Sequence, residues 1–164
     1  MSVYFISDLH IGHKAIPKYR TWINSVDEHD EWIVNQWNSV GFNKKDVIII
    51  LGDIIFDMKK MHLLHELKGR KWALFGNHDI AFNSYNPFHY FEKVLSFTKR
   101  YGFWLSHCPI HPLELRGKKN IHGHVHNKTI DDCNYINVCV EACDGIPVHL
   151  DCIRESRYGN KKTT

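Results

Sequence analysis

The chain has no C-x-x-C pair, no apolar run near membrane-spanning length and no basic leader followed by an apolar core. Its five cysteines, Cys108, Cys133, Cys139, Cys143 and Cys152, are odd in number, whereas a disulfide framework in a small secreted domain calls for an even set. Reduced, packed thiols in a cytoplasmic protein are therefore expected. The spacing of Cys133, Cys139 and Cys143 also fails to match a zinc knuckle. Met1 leads straight into a β-type run rather than a secretion signal, and a membrane span would need roughly 20 consecutive apolar residues. Repeats and low-complexity linkers are missing as well. A single domain over residues 1–164, with a frayed polar tail over 154–164, is the simplest organisation.

What is abundant is histidine, 13 in 164 residues. Imidazole is the commonest metal ligand and titrates near neutrality, so the excess directs attention to metal or proton chemistry. The net charge of +3 suits an anionic substrate without demanding nucleic acid, because the basic residues are interspersed with acidic ones.

Hydrophobic patterning alternates strands and helices, which places the fold in the α/β class. Val3–Ile6 reads as a strand. Ser25 and Glu28 form a capping box ahead of a helix over 26–40, with Ile33, Trp37 and Val40 on its apolar face and Gly41 as its stop. Val47–Leu51 is an unbroken, β-branched run of the kind covered on both faces. A helix over about 57–68 presents Met58, Met61, Leu64 and Leu67, and Lys71–Phe75 is the next buried strand. Residues 81–91 read as a loop leading into a short helix. Residues 94–98 and 103–106 make a hairpin about a turn at 99–102. Short strands are expected at 120–122, 135–140 and 146–153.

The chemistry gathers at strand ends, where open α/β sheets bind ligands. These ends read Asp8-x-His10, Gly52-Asp53, Gly76-Asn77-His78-Asp79, His107 and Gly123-His124-x-His126. Setting His78 and Asp79 aside, two carboxylates, one amide and four imidazoles make seven donors. Mixed oxygen and nitrogen donors suit Mn²⁺, Fe, Zn²⁺, Ni²⁺ or Co²⁺ better than Ca²⁺ or Mg²⁺. Seven donors exceed one tetrahedral shell and suit two ions sharing a carboxylate. Such a pair lowers the pKa of bound water and clamps a phosphoryl group. The glycine before Asp53, Asn77 and His124 lets the backbone bend close to the ions.

The ordered set D-x-H, G-D, G-N-H-D, H and G-H-x-H, spanning residues 8 to 126, resembles the calcineurin-like metallophosphoesterase family. Ser-Asp-Leu-His-Ile-Gly-His and Ser-His-Cys-Pro are similar to its small, capless bacterial and bacteriophage members. The resemblance implies a β-sandwich of two mixed sheets flanked by helices, with the metals at one end. It implies Asp8, His10 and His126 on one ion, Asn77, His107 and His124 on the other, and Asp53 bridging them, Mn²⁺ being the foremost choice. His78 is then the general acid that protonates the leaving oxygen during in-line attack by a metal-bridging hydroxide, and Asp79 orients His78. An uncapped site favours phosphodiesters. A nuclease or cyclic-nucleotide phosphodiesterase is the alternative within enzymes, and a non-catalytic metal-binding scaffold is the weaker alternative from another class.

Several residues keep two readings. His13 either touches substrate or is a loop residue. The aromatics from Phe82 to Phe91 either stack on a nucleobase or pack a short helix. Cys108 beside His107 is a candidate for oxidation or thiophilic metals. His111 reads as a loop residue, His122 as pointing away from the metals, and His62 and His65 as solvated. His29, His89 and His149 have no identifiable partner. Asp46 and Asp57 suit loops and caps. The basic stretches 68–71 and 116–119 read as solvated turns rather than polyanion sites.

Overall fold

A computed structural model describes residues 1–79 and 86–155. Its first half runs β1 (Val3–Ile6), α1 (Ile16–Tyr19), α2 (Val26–Ser39), β2 (Val47–Leu51), α3 (Leu63–Glu66), β3 (Arg70–Leu74) and β4 (Lys93–Leu95). The remainder is β5 (Thr98–Arg100), β6 (Phe103–Leu105), α4 (Pro112–Leu115), β7 (Asn120–His122), β8 (Tyr135–Asn137), α5 (Val140–Cys143), β9 (Val148–His149) and α6 (Leu150–Arg154). These strands make two mixed sheets flanked by helices. One has the order β4-β3-β2-β1-β9, parallel except for the β1–β9 pair. The other, β5-β6-β7-β8, is antiparallel only between β5 and β6.

β2 is buried along its whole length, as an unbroken β-branched run requires when a layer covers each face. Ile33 and Trp37 carry α2 onto the core, and the Trp37 indole donates to the Lys68 carbonyl at 2.9 Å. At the start of α2, Ser25 Oγ accepts from the Glu28 N–H, but the Glu28 carboxylate reaches the N–H of Asn24, one residue further back than a standard capping box. The two sheets meet where Ser7, just past β1, bridges to Cys139: Ser7 N–H donates to Val138 O at 2.8 Å and Val140 N–H to Ser7 O at 3.0 Å. That junction brings the carboxyl ends of β1, β2, β3, β6 and β7 to one place. No helix among the described residues is long and apolar enough to cross a membrane.

Some elements differ from expectation for identifiable reasons. The helix expected over 57–68 is a 3₁₀ turn (Met58–Lys60) and the short α3. Met58, Met61, Leu64 and Leu67 recur every three residues, which is the 3₁₀ period, and that spacing does not require a continuous α-helix. The hairpin is shorter: Thr98, Lys99 and Arg100 pair with Leu105, Trp104 and Phe103. Its turn is Tyr101-Gly102, with φ of +55° and +91°, the positive pair a type I′ turn needs. Val94 and Leu95 belong to the other sheet, in β4. The last expected strand stops after Val148–His149, because His149 Nδ1 accepts from the Asp151 N–H and starts α6. Leu150 and Ile153, three apart, are buried by that helix. The strand expected over 135–140 ends at Asn137, and α5 begins at Val140. Of the 81–91 segment, Phe82, Tyr85 and the loop up to residue 85 lie outside the described residues. Beyond them, Pro87–His89 form one 3₁₀ turn, with Phe91 buried and Phe88 exposed. Of the tail expected to fray, residues 156–164 also lie outside the described residues, while Arg154 ends α6.

Candidate metal centre

Each motif leaves its strand through a sharp turn. Asp8 and His10 follow β1, Asp53 follows β2, Asn77 to Asp79 follow β3, His107 follows β6, and His124 and His126 follow β7. The loop after β1 is stitched to the loop after β2, with Asp8 N–H donating to Gly52 O and His10 N–H to Asp53 O, both at 3.0 Å. Gly123 N–H ties the β7 loop to His107 O at 2.8 Å.

The donor atoms fall into two groups. In the first, Asp8, His10 and His126 present atoms that lie within 4.8 Å of one another. His10 Nε2 is 3.6 Å from Asp8 Oδ1, and His126 Nε2 is 3.8 Å from the same oxygen. In the second, His107 Nε2 lies 3.0 Å from Asn77 Oδ1 and 3.2 Å from His124 Nδ1. Asp53 stands between the two, its Oδ2 at 3.6 Å from His10 Nε2 and its Oδ1 at 3.5 Å from His107 Nε2. One carboxylate thus offers an oxygen to each group.

The hydrogen bonding leaves lone pairs of these atoms turned toward the cluster. The Leu51 carbonyl can only accept, so His107 donates its Nδ1–H to it at 2.7 Å and keeps the Nε2 lone pair for the cluster. Asp8 Oδ2 accepts from the His124 N–H and the Cys139 thiol, which leaves Oδ1 facing the imidazoles. Asp8 Oδ1 and both ring nitrogens of His10 are buried with no hydrogen-bond partner in the protein. Buried polar atoms rarely stay unpaired, and a divalent ion is the partner that this set of carboxylate, imidazole and amide donors fits. Burial opposes charge on Asp8, but His10 and the Ser7 hydroxyl outweigh it and hold the carboxyl well below the usual range.

The backbone here is strained. Asp8, His10, Asp53, His124 and His126 all have φ between +53° and +71°, a region that residues with a side chain seldom enter. Strain of this kind costs roughly 1–3 kcal/mol per residue and persists where the surroundings enforce it, commonly at functional sites. Gly52 has a positive φ of +96°. Gly123 is required for another reason, because a Cβ there would overlap Ser7 Oγ and Asp8 Oδ2. Gly123→Ala is expected to destabilise the fold by roughly 1–3 kcal/mol through overpacking and to displace Asp8. A thermal melt together with metal analysis checks both parts, and a melt and metal content equal to the parent's would refute the steric argument.

Asp79 departs from the expected role. Its carboxylate does not orient His78 but accepts from the N–H groups of Asp53 at 2.7 Å, Ile54 at 2.8 Å and Gly76 at 2.7 Å. It therefore fixes the turns after β2 and β3 against each other. Burial, with Asp53 nearby, pushes its carboxyl up to about 6 despite those donors. His78 donates its backbone N–H to Asp53 Oδ1 at 3.0 Å, and its ring stands at the edge of the centre, 6.4 Å from His10 and 5.1 Å from Phe56 between centroids. His13 is half-buried, 5.5 Å from the His10 ring. Cys108 is an exposed residue whose thiol lies within reach of His107 and His124; partial burial of the sulfur, with Asp53 and Asp8 nearby, raises its pKa. Cys139 and Cys143 are packed as expected, whereas Cys133 and Cys152 are exposed.

A layer behind the ligands escaped the sequence reading. Glu141 Oε1 lies 3.1 Å from His126 Nδ1, so that ring directs Nε2 at the cluster. Burial works against its charge, but His126 and Arg20 bring the carboxyl down to about 2. Arg20 is fully buried: its guanidinium donates to Glu141 Oε1 at 2.9 Å, Asp8 O at 2.7 Å and Leu9 O at 3.3 Å, and lies against His29 Nε2. Asp30, beside His29 on α2, accepts from Gly12 N–H at 2.9 Å. His29 thus acquires partners in Arg20 and Asp30. His111 and His149 cap α4 and α6, and His122 is buried against the Gly123 carbonyl. Arg70 pairs with Glu92, and Lys71 donates to Leu67 O, so both have structural partners.

A protein of Methanocaldococcus jannaschii described as uncharacterized is 30% identical over 92% of this chain and 88% of its own. The gene 66 protein of Mycobacterium phage L5 is 41% identical over 48% of this chain and 40% of its own. Among solved structures, a protein of unknown function from Aquifex aeolicus superposes with a TM-score of 0.74 and 25% identity, over 94% of this chain and 98% of that one. The nuclease MPE of Pseudomonas putida superposes with a TM-score of 0.51 over 76% of this chain and 60% of that one, at 19% identity, a likeness in fold. The family profile described as calcineurin-like phosphoesterase matches residues 1–146, the stretch that carries all five strand-end motifs. The chain belongs to the calcineurin-like phosphoesterase family.

Proposed function

We propose that the protein is a metal-dependent phosphodiesterase. Asp8, His10 and His126 would hold one divalent ion, Asn77, His107 and His124 a second, and Asp53 would serve both. The observation that carries this reading is the placement of Asp53, with one carboxylate oxygen turned to each donor group. Two ions so held supply a water activated near neutral pH and a clamp on the phosphoryl oxygens. Mn²⁺ is the first choice, and Fe, Zn²⁺, Ni²⁺ and Co²⁺ fit the same donors.

The chain's own groups do the rest. His78, His10, His124 and His126 line one cleft, of about 730 Å³, so a phosphodiester seated against the cluster lies beside the His78 ring. In hydrolysis a P–O bond forms from water as the bond to the leaving oxygen breaks. His78 donates its proton to that oxygen, so the alcohol departs neutral. The cleft extends past the histidines to Tyr19, Trp22 and Lys128, room for a second substituent on the phosphorus, which favours diesters over monoesters.

The test is turnover of bis-p-nitrophenyl phosphate with Mn²⁺, repeated across the other divalent ions and against p-nitrophenyl phosphate. Metal-dependent cleavage with the diester preferred is the expected result; inertness with every ion on both esters would refute the reading. Binding has its own readout. Mn²⁺ at about 100 times its Kd adds about 2.7 kcal/mol, which for a chain of this size raises Tm by roughly 5–10 °C. Asp53→Asn is expected to lose at least about half of that gain. An equal gain in the variant would remove Asp53 from the site.

A further inference from the structure

The cleft beside the metal centre has a wall that the reaction does not use. From the end of α1 toward α2 the chain alternates anchors and exposed rings. Arg20 and Ile23 are buried, while Tyr19 is 73% and Trp22 53% exposed. Both rings line the cleft that contains His10, His78 and His126. The Arg20 guanidinium fastens this segment to the carbonyls of Asp8 and Leu9, so the rings stand on a platform fixed to the ligand loop itself. The Tyr19 ring lies beside His13, tilted 29° from it with centroids 6.4 Å apart. Trp22 is braced edge-on by Trp32 at 6.2 Å. Asn127 and Lys128 line the same cleft. That turn is held by the Asn137 side chain, which donates to His126 O at 2.7 Å and Lys128 O at 3.3 Å.

We propose that this wall is a nucleobase subsite, so that the diester hydrolysed is a nucleotide diester. Solvent-exposed aromatic rings on a rigid support offer π-faces to a planar base, and such stacking tolerates any base. The Asn127 amide offers donors and an acceptor for base edges, and Lys128 is the ammonium among the described lining residues, suited to a neighbouring phosphate. An alkyl or acyl substituent would call for an aliphatic wall, yet Ile16 and Val125 are the aliphatic members here. The cleft volume lies within the range of pockets that enclose a ligand of nucleotide size.

The proposal rests on the phosphodiesterase reading, and the experiment separates the two. The Mn²⁺-loaded protein is given the p-nitrophenyl ester of thymidylate and methyl p-nitrophenyl phosphate, which share a leaving group and differ in carrying a nucleoside or a methyl group. Stacking predicts a kcat/KM ratio of about 5- to 150-fold in favour of the thymidylate ester. In the Tyr19→Ala/Trp22→Ala double variant that ratio should fall to within about twofold of unity, whereas Tyr19→Phe, which keeps the π-face, should preserve it. A ratio near one in the parent, or one that survives the double variant, overturns the base subsite while leaving the hydrolase intact. If neither ester is cleaved with any ion, the hydrolase reading fails and calorimetry decides the subsite alone. Adenosine monophosphate should then bind at least about fivefold more tightly than inorganic phosphate, and lose that advantage in the double variant. Equal affinities overturn it. Longer and cyclic nucleotides, compared in the same assay, identify which diester the site prefers.

Discussion

His78→Ala is expected to slow hydrolysis of an alkyl phosphodiester by about 100- to 10,000-fold, the range for loss of a general acid. The substitution removes the ring and keeps the backbone N–H that donates to Asp53 Oδ1, so the donor cluster should keep its geometry and its capacity for metal. The size of the loss should depend on the leaving group. Nitrophenolate departs as a stable anion and needs little protonation, so bis-p-nitrophenyl phosphate should lose much less than the alkyl ester. Measuring both substrates, with metal content determined on the same preparation, separates proton donation from damage to the centre. Equal losses on the two esters would assign His78 to binding, and a full rate on the alkyl ester would remove it from the reaction.

The second large effect lies behind the ligands. Arg20→Ala would leave the Glu141 carboxylate with His126 as its remaining charged partner, and the carbonyls of Asp8 and Leu9 would lose a donor. Breaking a buried ion pair by removing one partner costs roughly 3–5 kcal/mol. For a chain of this size that lowers Tm by roughly 6–20 °C. Metal affinity should fall too, because the Asp8 backbone and, through Glu141, the His126 ring both depend on Arg20. Arg20→Lys restores charge without the planar fork that reaches several acceptors, and should recover less than about half of the loss. A melt of Arg20→Ala within about 2 °C of the parent would show that water replaces the guanidinium at little cost.

The donor cluster was legible because each motif is local. A strand followed at once by Asp, His or Asn places those side chains at a sheet end, and five such ends within one α/β chain have few other uses. The sheet order then gathers all seven donors. Asp79 was misread by the same locality: adjacency paired it with His78, yet its carboxylate turns inward to backbone N–H groups of another loop, 25 and 26 residues away in sequence. Arg20 and Glu141 were missed because their significance lies in each other, 121 residues apart, and nothing local marks either one. Nothing in the sequence singled out Tyr19 and Trp22; the buried Arg20 and Ile23 are what leave those rings facing outward.

The Gly-Asn-His-Asp turn shows the same division. By itself the sequence determined the alternation of strands and helices, the donors at the strand ends and the family those donors resemble, since all of these depend on short-range periodicity and adjacency. The tertiary structure decided which helices broke into 3₁₀ turns, that Asp53 faces both donor groups, that Asp79 braces two loops, and that Arg20 and Glu141 support the centre from behind. Those outcomes depend on burial and on partners distant in sequence, and a buried charge or a strained φ takes its role only from what the completed fold packs around it.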